Sequence, residues 1–517
     1  MPVRFLVLGV ALASAAAAQP ARTVPVGDPA YAYVERLQRR GLLLDLHPTA
    51  LPYTEAELTE ALATLDGHAL RGPEAEWAGL LRTRLGGAAP EADELALRAH
   101  LGAGAAASTS ARLDPLRPLD GDPTLPVGDG AVYPEAEGQV ALGAGRLVAQ
   151  IGLRHSVYAN DDPDGLDVAN RLMIRNEEGY VAYRGARADV ALGRIGVHWG
   201  RAGRDALFLS DNPRPYDALH LRLGGRRVAV RSVLGQLDAA LLDGTFTDVT
   251  GLRPGDRPSD QPRINRYVSA HRFDWRPSRH VLLSVIENAI YSGANAGPSL
   301  TYLLPTQGFS FLIDNTPKDV ENNGAVGGML WAYYRGWTLH GEVFMDDFDI
   351  LDAAEPTSAA LTGTLTRAGV LPRLDAELGL TAVTARAYNT NQPEGRYLYA
   401  LRGLAQEFSD FVRLDLRADW YAAPGLTLSP EAVMLWQGQR SPESPFPTNE
   451  EARTILTGDL DRTLRLALDA RYQRDPRWWL AADLGVNLSD EVPNRGVHGL
   501  VRLGARIGTA GTVRADF

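Results

Sequence analysis

The chain has 517 residues, a formal net charge of −11 at pH 7 and no cysteine. The lack of cysteine excludes disulfides, thiol chemistry and a lipoprotein anchor, and the acidic balance argues against nucleic acid as a partner. Past the N-terminus no stretch approaches about 18 uninterrupted apolar residues, so the sequence predicts no transmembrane helix.

The first residues are organised like a secretory signal peptide. Arg4 precedes an apolar stretch from Phe5 to Ala13, and a run of small residues ends at Ala18, just before Gln19. The apolar stretch is too short to cross a bilayer as a helix, while the small residues suit a signal-peptidase site. We therefore predict a signal peptide at residues 1–18.

Residues from about 28 to 90 have a helical period, and residues 19–90 are predicted to form a small helical module. Asp28 stands before a proline at the start of the first helix, which is a common N-terminal arrangement. Thr54 and Glu57 have the spacing of a capping box at the start of the second helix. A third helix is predicted from Pro73 to Leu85.

From about Glu94 the hydrophobic period changes to two. In residues 411–420 the apolar and charged side chains alternate: Val412, Leu414, Leu416 and Ala418 oppose Arg413, Asp415, Arg417 and Asp419. One face of such a strand suits lipid, and the other is charged enough to need water. Residues 91–517 are therefore predicted to form a mainly β, transmembrane antiparallel β-barrel.

Tight turns and long polar loops alternate along this region. The tight turns are at 143–146, 184–187, 224–226, 276–279, 335–336, 423–425 and 475–477. This sorting by length is typical of barrels in the outer membrane of Gram-negative bacteria, whose short turns face the periplasm; a soluble sandwich does not require it. The helical module would then be periplasmic, where it would plug the base of the lumen or dock on an export partner.

About 18 strands can be placed if the first runs outward near 94–110, an even number that leaves both chain ends in the periplasm. The predicted outer loops lie near 111–133, 159–178, 199–216, 245–263, 292–325, 349–372, 405–410, 438–461 and 489–495. In this arrangement residues 389–395 form an unusually long inner turn.

Aromatic residues fall near the ends of the predicted strands, as in the interfacial girdles of such barrels. Those beside inner turns are Trp275, Trp337, Trp420, Tyr421, Trp478 and Trp479, and those at outer strand ends are Trp199 and Trp436. The chain ends in Phe517 on an alternating strand. This residue resembles the signal that the barrel assembly machinery recognises, so that machinery is an expected partner during biogenesis.

The third outer loop carries a specific resemblance. It contains a tryptophan-glycine segment at Trp199, followed by Leu-Ser-Asp-Asn-Pro-Arg-Pro at 209–215. This loop resembles the capsule assembly Wzi family. Residues 344–348 resemble a second segment of that family. The helical module, with Gly-Leu-Leu at 41–43 and Pro-Tyr-Thr at 52–54, is similar to the N-terminal part of many members.

The resemblance implies an outer-membrane barrel of about 18 strands that acts as a lectin and holds capsular or extracellular polysaccharide at the cell surface. Its other partners would be outer-membrane lipid or lipopolysaccharide and a polysaccharide export complex. The candidate binding residues are Trp199, Arg201, Arg204, Ser210, Asn212, Arg214, Asp346 and Asp347. Tryptophan offers a stacking face, and arginine and asparagine bind hydroxyls or uronic-acid carboxylates. The alternative is that 210–213 is turn chemistry and the arginines pair with loop acids. For Asp346 and Asp347, at a strand end, the alternatives are gating, lumenal hydrogen bonding and a purely structural role.

Two other predicted outer loops have an unusual composition, one acidic and one apolar. Asp161, Asp162 and Asp164 supply oxygen ligands suited to Ca²⁺, but they lack the EF-hand spacing, which favours an ordinary solvated loop. Residues 302–313 are too apolar for a freely solvated loop. This character indicates that the loop folds inward or packs on its neighbours, and we predict that it narrows or blocks the lumen.

The sequence does not indicate an enzyme. It has no G-x-S-x-G nucleophile elbow and no H-E-x-x-H zinc pair, and no cofactor or resident metal is expected. Five histidines on predicted strands, among them His220 and His271, are better explained as lumenal structural residues than as the catalytic residues of an outer-membrane hydrolase. The main alternative to a lectin is a porin-type passive channel, because a barrel of this size can leave a lumen.

Overall fold

The chain forms a closed antiparallel β-barrel preceded by three helices, which confirms the predicted fold class. A computed structural model describes residues 22–85, 93–108, 131–156, 174–241, 263–305, 308, 321–346, 356, 358–400, 402–491 and 495–509. Within these residues eighteen strands form the wall, and a two-residue strand, Ala240–Leu241, adds to one of them. Asp161, Asp162, Asp164 and Asp347 lie outside the described residues, as does the predicted signal peptide.

The wall strands follow one another around the barrel in chain order. They are β1 Asp93–Ser108, β2 Ala131–Ala144, β3 Leu147–Ser156, β4 Ile174–Arg184, β5 Ala188–Arg194, β6 Asp217–Gly224, β7 Val228–Gln236, β8 Arg263–Ser278, β9 Val281–Gly293, β10 Glu321–Tyr334, β11 Trp337–Asp346, β12 Ser358–Leu371, β13 Leu374–Val383, β14 Phe411–Ala423, β15 Leu426–Gln437, β16 Asp461–Asp475, β17 Trp478–Ser489 and β18 Gly496–Thr509. The barrel closes where β1 pairs with β18, from Leu97 opposite Thr509 to Ser108 opposite His498.

Side chains alternate across the wall as the period of two predicts. On β14, Leu414 and Leu416 face outward and are 42% and 57% exposed, whereas Asp415 and Asp419 face the lumen and are buried. An apolar exterior and a charged interior are what a lipid-embedded barrel requires. No helix in the described part of the chain is long and apolar enough to span a membrane.

The seven predicted tight turns are all present at one end of the barrel, here called the short-turn end. The placement of strands between 349 and 410 was wrong. Strand β12 occupies most of the predicted loop 349–372, an eighth tight turn joins Leu371 to Leu374, and residues 389–395 lie in a long loop at the opposite end. The sequence did not indicate β12 as a strand because its lumenal face carries Thr362, Thr364 and Thr366 in place of charged residues. The alternation of apolar and charged residues that marks the other strands is therefore weak here.

The three predicted helices are confirmed as α1 Ala30–Gln38, α2 Glu55–Ala63 and α3 Pro73–Leu85. Thr54 and Glu57 form the expected capping box. The module that contains these helices (residues 22–85) lies inside the short-turn mouth of the barrel. Arg39 bonds Asp419 of β14 at 2.9 Å, and Arg276 of β8 donates to the carbonyl of Leu44 at 2.6 Å. The module therefore plugs the base of the lumen.

For the residues that the structure describes, the prediction that the loop after β9 narrows the lumen was wrong, and the alternative that it packs on its neighbours is confirmed. Residues 296–304 pack against the outer face of β7–β9, where the Ser232 hydroxyl donates to the carbonyl of Leu303 at 2.8 Å. The apolar character of this segment therefore reflects packing on the outside of the wall. A four-residue helix, α4 Leu300–Leu303, lies within it.

The aromatic girdle is confirmed in part. Trp275, Trp337, Trp420 and Trp478 face outward near the short-turn end and are 39–49% exposed. Tyr421 is buried inside the barrel, and the ring of Trp479 lies under the guanidinium of Arg471 on the lumenal side. Trp199 is also buried rather than interfacial, at 3% exposure.

Candidate functional site

The loop between β5 and β6, residues 195–216, folds into the lumen and meets the helical module. His198 and Leu51 exchange two backbone hydrogen bonds, at 3.0 and 3.3 Å. The Trp199 amide donates to the carbonyl of Leu209 at 2.8 Å, which closes the loop on itself. This lumenal loop, which carries six of the eight predicted site residues, therefore sits directly on the plug.

Trp199, the predicted stacking residue, packs inside the protein. The guanidinium of Arg272 on β8 lies 5.9 Å from the centre of its ring, a distance that allows a cation–π contact. Its neighbour His198 bonds Asp211 at 2.8 Å through Nδ1 and the Arg201 carbonyl at 2.9 Å through Nε2. Burial opposes the charged imidazolium, but Asp211 and the other acceptors outweigh it and raise the pKa of His198.

Arg201 and Arg204 enter a buried charge cluster that joins the loop, the module and the wall. Arg201 bonds Glu35 of α1 through Nε at 2.9 Å and Glu377 of β13 at 2.7 Å, and Arg204 also pairs with Glu377. Arg39 of the module reaches the same two carboxylates, at 3.1 and 3.2 Å. Burial works against ionised Glu35, but Arg201 and Arg39 prevail and lower its pKa.

Ser210 and Asn212 connect the lumenal loop to the loop between β13 and β14, residues 384–410. The Ser210 hydroxyl donates to the carbonyl of Ala405 at 2.6 Å, and the Asn212 amide donates to Gly403 at 2.9 Å and Glu407 at 2.7 Å. Both side chains are half-buried, as is that of Arg214. These three residues lie nearer the loop end of the barrel than Arg201 does.

An aromatic cluster inside the lumen packs against both the lumenal loop and the 384–410 loop. Phe208 packs edge-on against Phe344 with ring centres 5.4 Å apart, and the hydroxyl of Tyr388 donates to the Leu207 carbonyl at 3.0 Å. Asp346 faces the lumen and accepts the Tyr388 amide at 3.0 Å. Its carboxylate therefore holds the backbone of the 384–410 loop.

A third loop, residues 438–460, packs on the 384–410 loop at the same end of the barrel. Arg386 donates to the carbonyl of Pro447 at 2.8 Å, Asn389 to that of Ser444 at 2.9 Å and Arg396 to that of Glu443 at 2.8 Å. The three loops together form what we call the cap. Many of its polar side chains are exposed or half-exposed, among them Asp211, Asn212, Arg214, Asn391, Gln392 and Gln439.

Sequence reasoning missed the partners that hold these residues. Glu35, Arg39 and Leu51 belong to the module, and the 384–410 loop was assigned in part to the wrong end of the barrel. The usable signal was the tyrosine content of that loop, since Tyr388, Tyr397 and Tyr399 are more than a solvated connection needs.

The fold has a counterpart among solved structures. The chain is similar to Wzi of Escherichia coli, described as an outer-membrane protein involved in group 1 capsule assembly and a carbohydrate-binding β-barrel, with a TM-score of 0.61 and 12% identity over 95% of this chain and 99% of that chain. This likeness agrees with the resemblance seen in the sequence. At such identity it shows a shared fold, that of a large outer-membrane barrel.

Two Pseudomonas aeruginosa barrels are also similar. OccD3 has a TM-score of 0.45 and 10% identity over 80% of this chain and 91% of its own, and OccK11 has 0.44 and 11% over 80% and 96%. TM-scores below 0.5 do not establish a shared fold. No protein-family model matches the sequence. No curated protein matches it either.

Proposed function

We propose that the chain is a non-enzymatic outer-membrane barrel that binds or organises capsular or extracellular polysaccharide at the cell surface, after removal of a signal peptide at residues 1–18. The observation that carries this proposal is a plugged lumen under an interlocked cap. Module and lumenal loop meet at Leu51 and His198, so among the described residues the surface that a large ligand can reach at the loop end is the cap. The resemblance to Wzi supports the same function.

Within the predicted site, two groups of residues have different expected roles. Arg214 lies half-buried in the cap and is suited to bind hydroxyls or carboxylates of a sugar chain. The Asn212 amide beside it already donates to Gly403 and Glu407, so its expected role is to hold the two loops together. Trp199, Arg201 and Arg204 lie deeper, with partners inside the chain. Their expected role is to hold the loop in place, and Asp346 and Ser210 do the same through backbone contacts.

Polysaccharide binding tests the proposal directly. Purified protein in detergent is titrated with the exopolysaccharide of its own strain, and the cell-attached sugar of a deletion strain is compared with the sugar shed into the medium. The variant R214A should lose binding. The control R226A alters an exposed ion pair with Glu60 at the short-turn end and should bind normally. A wild-type protein that neither binds nor retains the sugar would refute the function.

A second candidate, a passive channel for small solutes, is favoured by one feature of the lumen. Charged lumenal side chains on β2, β3, β16 and β17 keep substantial exposure, namely 51% for Glu137, 42% for Arg154, 40% for Asp469 and 32% for Asp483. Water therefore reaches part of the wall that the plug does not cover. Steady conductance with a charge preference in planar bilayers, without any polysaccharide binding, would favour this function.

A further inference from the structure

Residues 296–304, which we call the outer strap, cover a patch of wall that differs from the rest of the exterior. Around the barrel the outward positions are apolar and exposed, such as Val285 at 60% and Phe273 at 45%. Beneath the strap the same face carries residues buried at 6% or less, namely Ser232, Tyr267, Ser269, His271 and Tyr291. Contrary to the sequence-based expectation, His271 faces outward, and its Nδ1 lies 3.1 Å from Glu287.

The polar groups of this patch bond the backbone of the strap. The carbonyls of Leu303 and Tyr302 accept from Ser232 and Ser269, that of Ala296 accepts from Asn265 at 3.0 Å, and that of Gly297 accepts from Tyr291 at 3.2 Å. The Tyr302 ring stacks on Tyr291 with centres 4.1 Å apart and planes at 11°. Non-strand backbone can lie at membrane depth only when its polar groups have such partners.

The strap reaches the depth of the membrane. Ser269, which holds it, lies six residues along β8 from Trp275 of the aromatic girdle. At about 3.3 Å per residue and a tilt of about 40°, this corresponds to about 15 Å along the barrel axis. The apolar band of such barrels is about 25 Å tall, so the contact at Ser269 falls within it.

The free face of the strap is apolar. Leu300 is 71% exposed and Leu304 is 41% exposed, although both belong to a segment whose other side is firmly bonded to the wall. They lie four residues apart, a spacing that places side chains on one face of a helical turn. Their exposure is comparable to that of the lipid-facing Val285.

We propose that the outer strap is a membrane-contact element whose Leu300 and Leu304 lie among lipid acyl chains of the outer leaflet. Its polar side satisfies the hydroxyls of β7 and β8, and its apolar side replaces the lipid-facing surface that those strands lack. The outer strap thus anchors the barrel laterally and does not gate it. This inference requires the barrel to lie in a membrane but is independent of polysaccharide binding.

Spin labelling tests the proposal, because the chain has no native cysteine. The single variants L300C and L304C are labelled with a nitroxide and reconstituted into phosphatidylcholine vesicles. Their accessibilities to oxygen and to a water-soluble nickel chelate are then measured by power-saturation EPR. L416C, on the exposed outer face of β14, serves as the lipid control, and I455C, 70% exposed in the cap, serves as the water control.

The expected result is that L300C and L304C match L416C, with high oxygen and low nickel accessibility. The proposal is overturned if they match I455C. Low accessibility to both reagents with dipolar broadening between labels would also overturn it, because a second copy of the chain would then cover the strap. In the background S232A/S269A, which removes two hydrogen bonds between the wall and the strap, nickel accessibility at position 300 should rise. An unchanged value would refute the proposal that these bonds hold the strap against the wall. Heat-modifiable migration on gels verifies that each variant is folded.

Discussion

Leu51 of the helical module and His198 of the lumenal loop lie 147 positions apart in sequence and exchange two backbone hydrogen bonds inside the barrel, at 3.0 and 3.3 Å. This short antiparallel contact joins the element that enters from the short-turn end to the element that enters from the loop end. Together with the cluster around Glu377, it makes the plug and the base of the cap one packed body.

The pairing predicts an efficient cross-link. Residues that exchange both hydrogen bonds in an antiparallel pair have Cα atoms about 5.5 Å apart, which suits a disulfide. The double variant L51C/H198C should therefore oxidise readily in the folded protein, as a shift on non-reducing gels would show. A matched pair, L51C/I455C, should stay reduced, and equal oxidation of both pairs would argue against the contact.

Loss of Arg201 should be far more costly than loss of an exposed arginine. R201A removes one buried cation from Glu35 and Glu377 but leaves Arg39 and Arg204 beside them. Breaking a buried pair costs about 3–5 kcal/mol when a charge is left uncompensated, so we expect a loss at the lower end of that range, about 3 kcal/mol. R226A removes an exposed ion pair with Glu60 and should cost less than about 1 kcal/mol. Urea unfolding in lipid vesicles measures both values. Similar effects of the two variants would contradict the role given to the buried cluster.

Two histidines should make pH-dependent contributions of opposite sign. The raised pKa of His198 stabilises the fold at pH values below 6.5, the unfolded value, and this contribution is lost as pH rises through the folded pKa. Burial lowers the pKa of His47 to about 3 despite Asp274, which lies 3.1 Å away. The unfolded chain therefore binds the proton more tightly, and stability falls as pH drops below 6.5.

Unfolding free energies at pH 7.5, 6 and 4.5 measure this difference. The advantage of wild type over H198Q should grow toward pH 4.5, whereas that of wild type over H47Q should shrink. Parallel pH profiles for the two variants would refute the assignment. The variant D211N should abolish most of the His198 effect, because Asp211 is the main group that raises its pKa.

The lumen should open when the module is removed and not when the strap is removed. Deletion of residues 22–85 removes the plug together with its contacts to the wall, Arg39 with Asp419 and Leu44 with Arg276, and should raise single-channel conductance in planar bilayers. Deletion of residues 296–304 alters only the outer wall and should leave conductance unchanged. A rise after the second deletion would place the strap inside the lumen.

The wall could largely be predicted from sequence because its physics is local. Alternation of apolar and charged residues identified strands such as β14, and turn chemistry located seven of the tight turns. Strand β12 was missed because its lumenal face carries Thr362, Thr364 and Thr366, which differ less in polarity from its apolar outer face than charged residues would. The sequence did not predict which face of the barrel wall residues 296–304 pack against, since apolar loop residues pack equally well on the inner and the outer face.

The site was predicted less completely because its contacts are long-range. The sequence indicated Arg201 and Arg204 as polar loop residues, yet their partners Glu35 and Glu377 come from a helix and a strand far away in the chain. A motif identifies which loop is specialised. It does not distinguish a side chain that faces a ligand from one that holds the loop.

The plug also bears on how the protein is assembled. The strands that seal the cylinder are the first and the last of the wall, and the module precedes them all in the chain. A growing, still open sheet can thus curl around a globular N-terminal segment that is already present. Biogenesis in that order requires no later threading of helices through a finished ring.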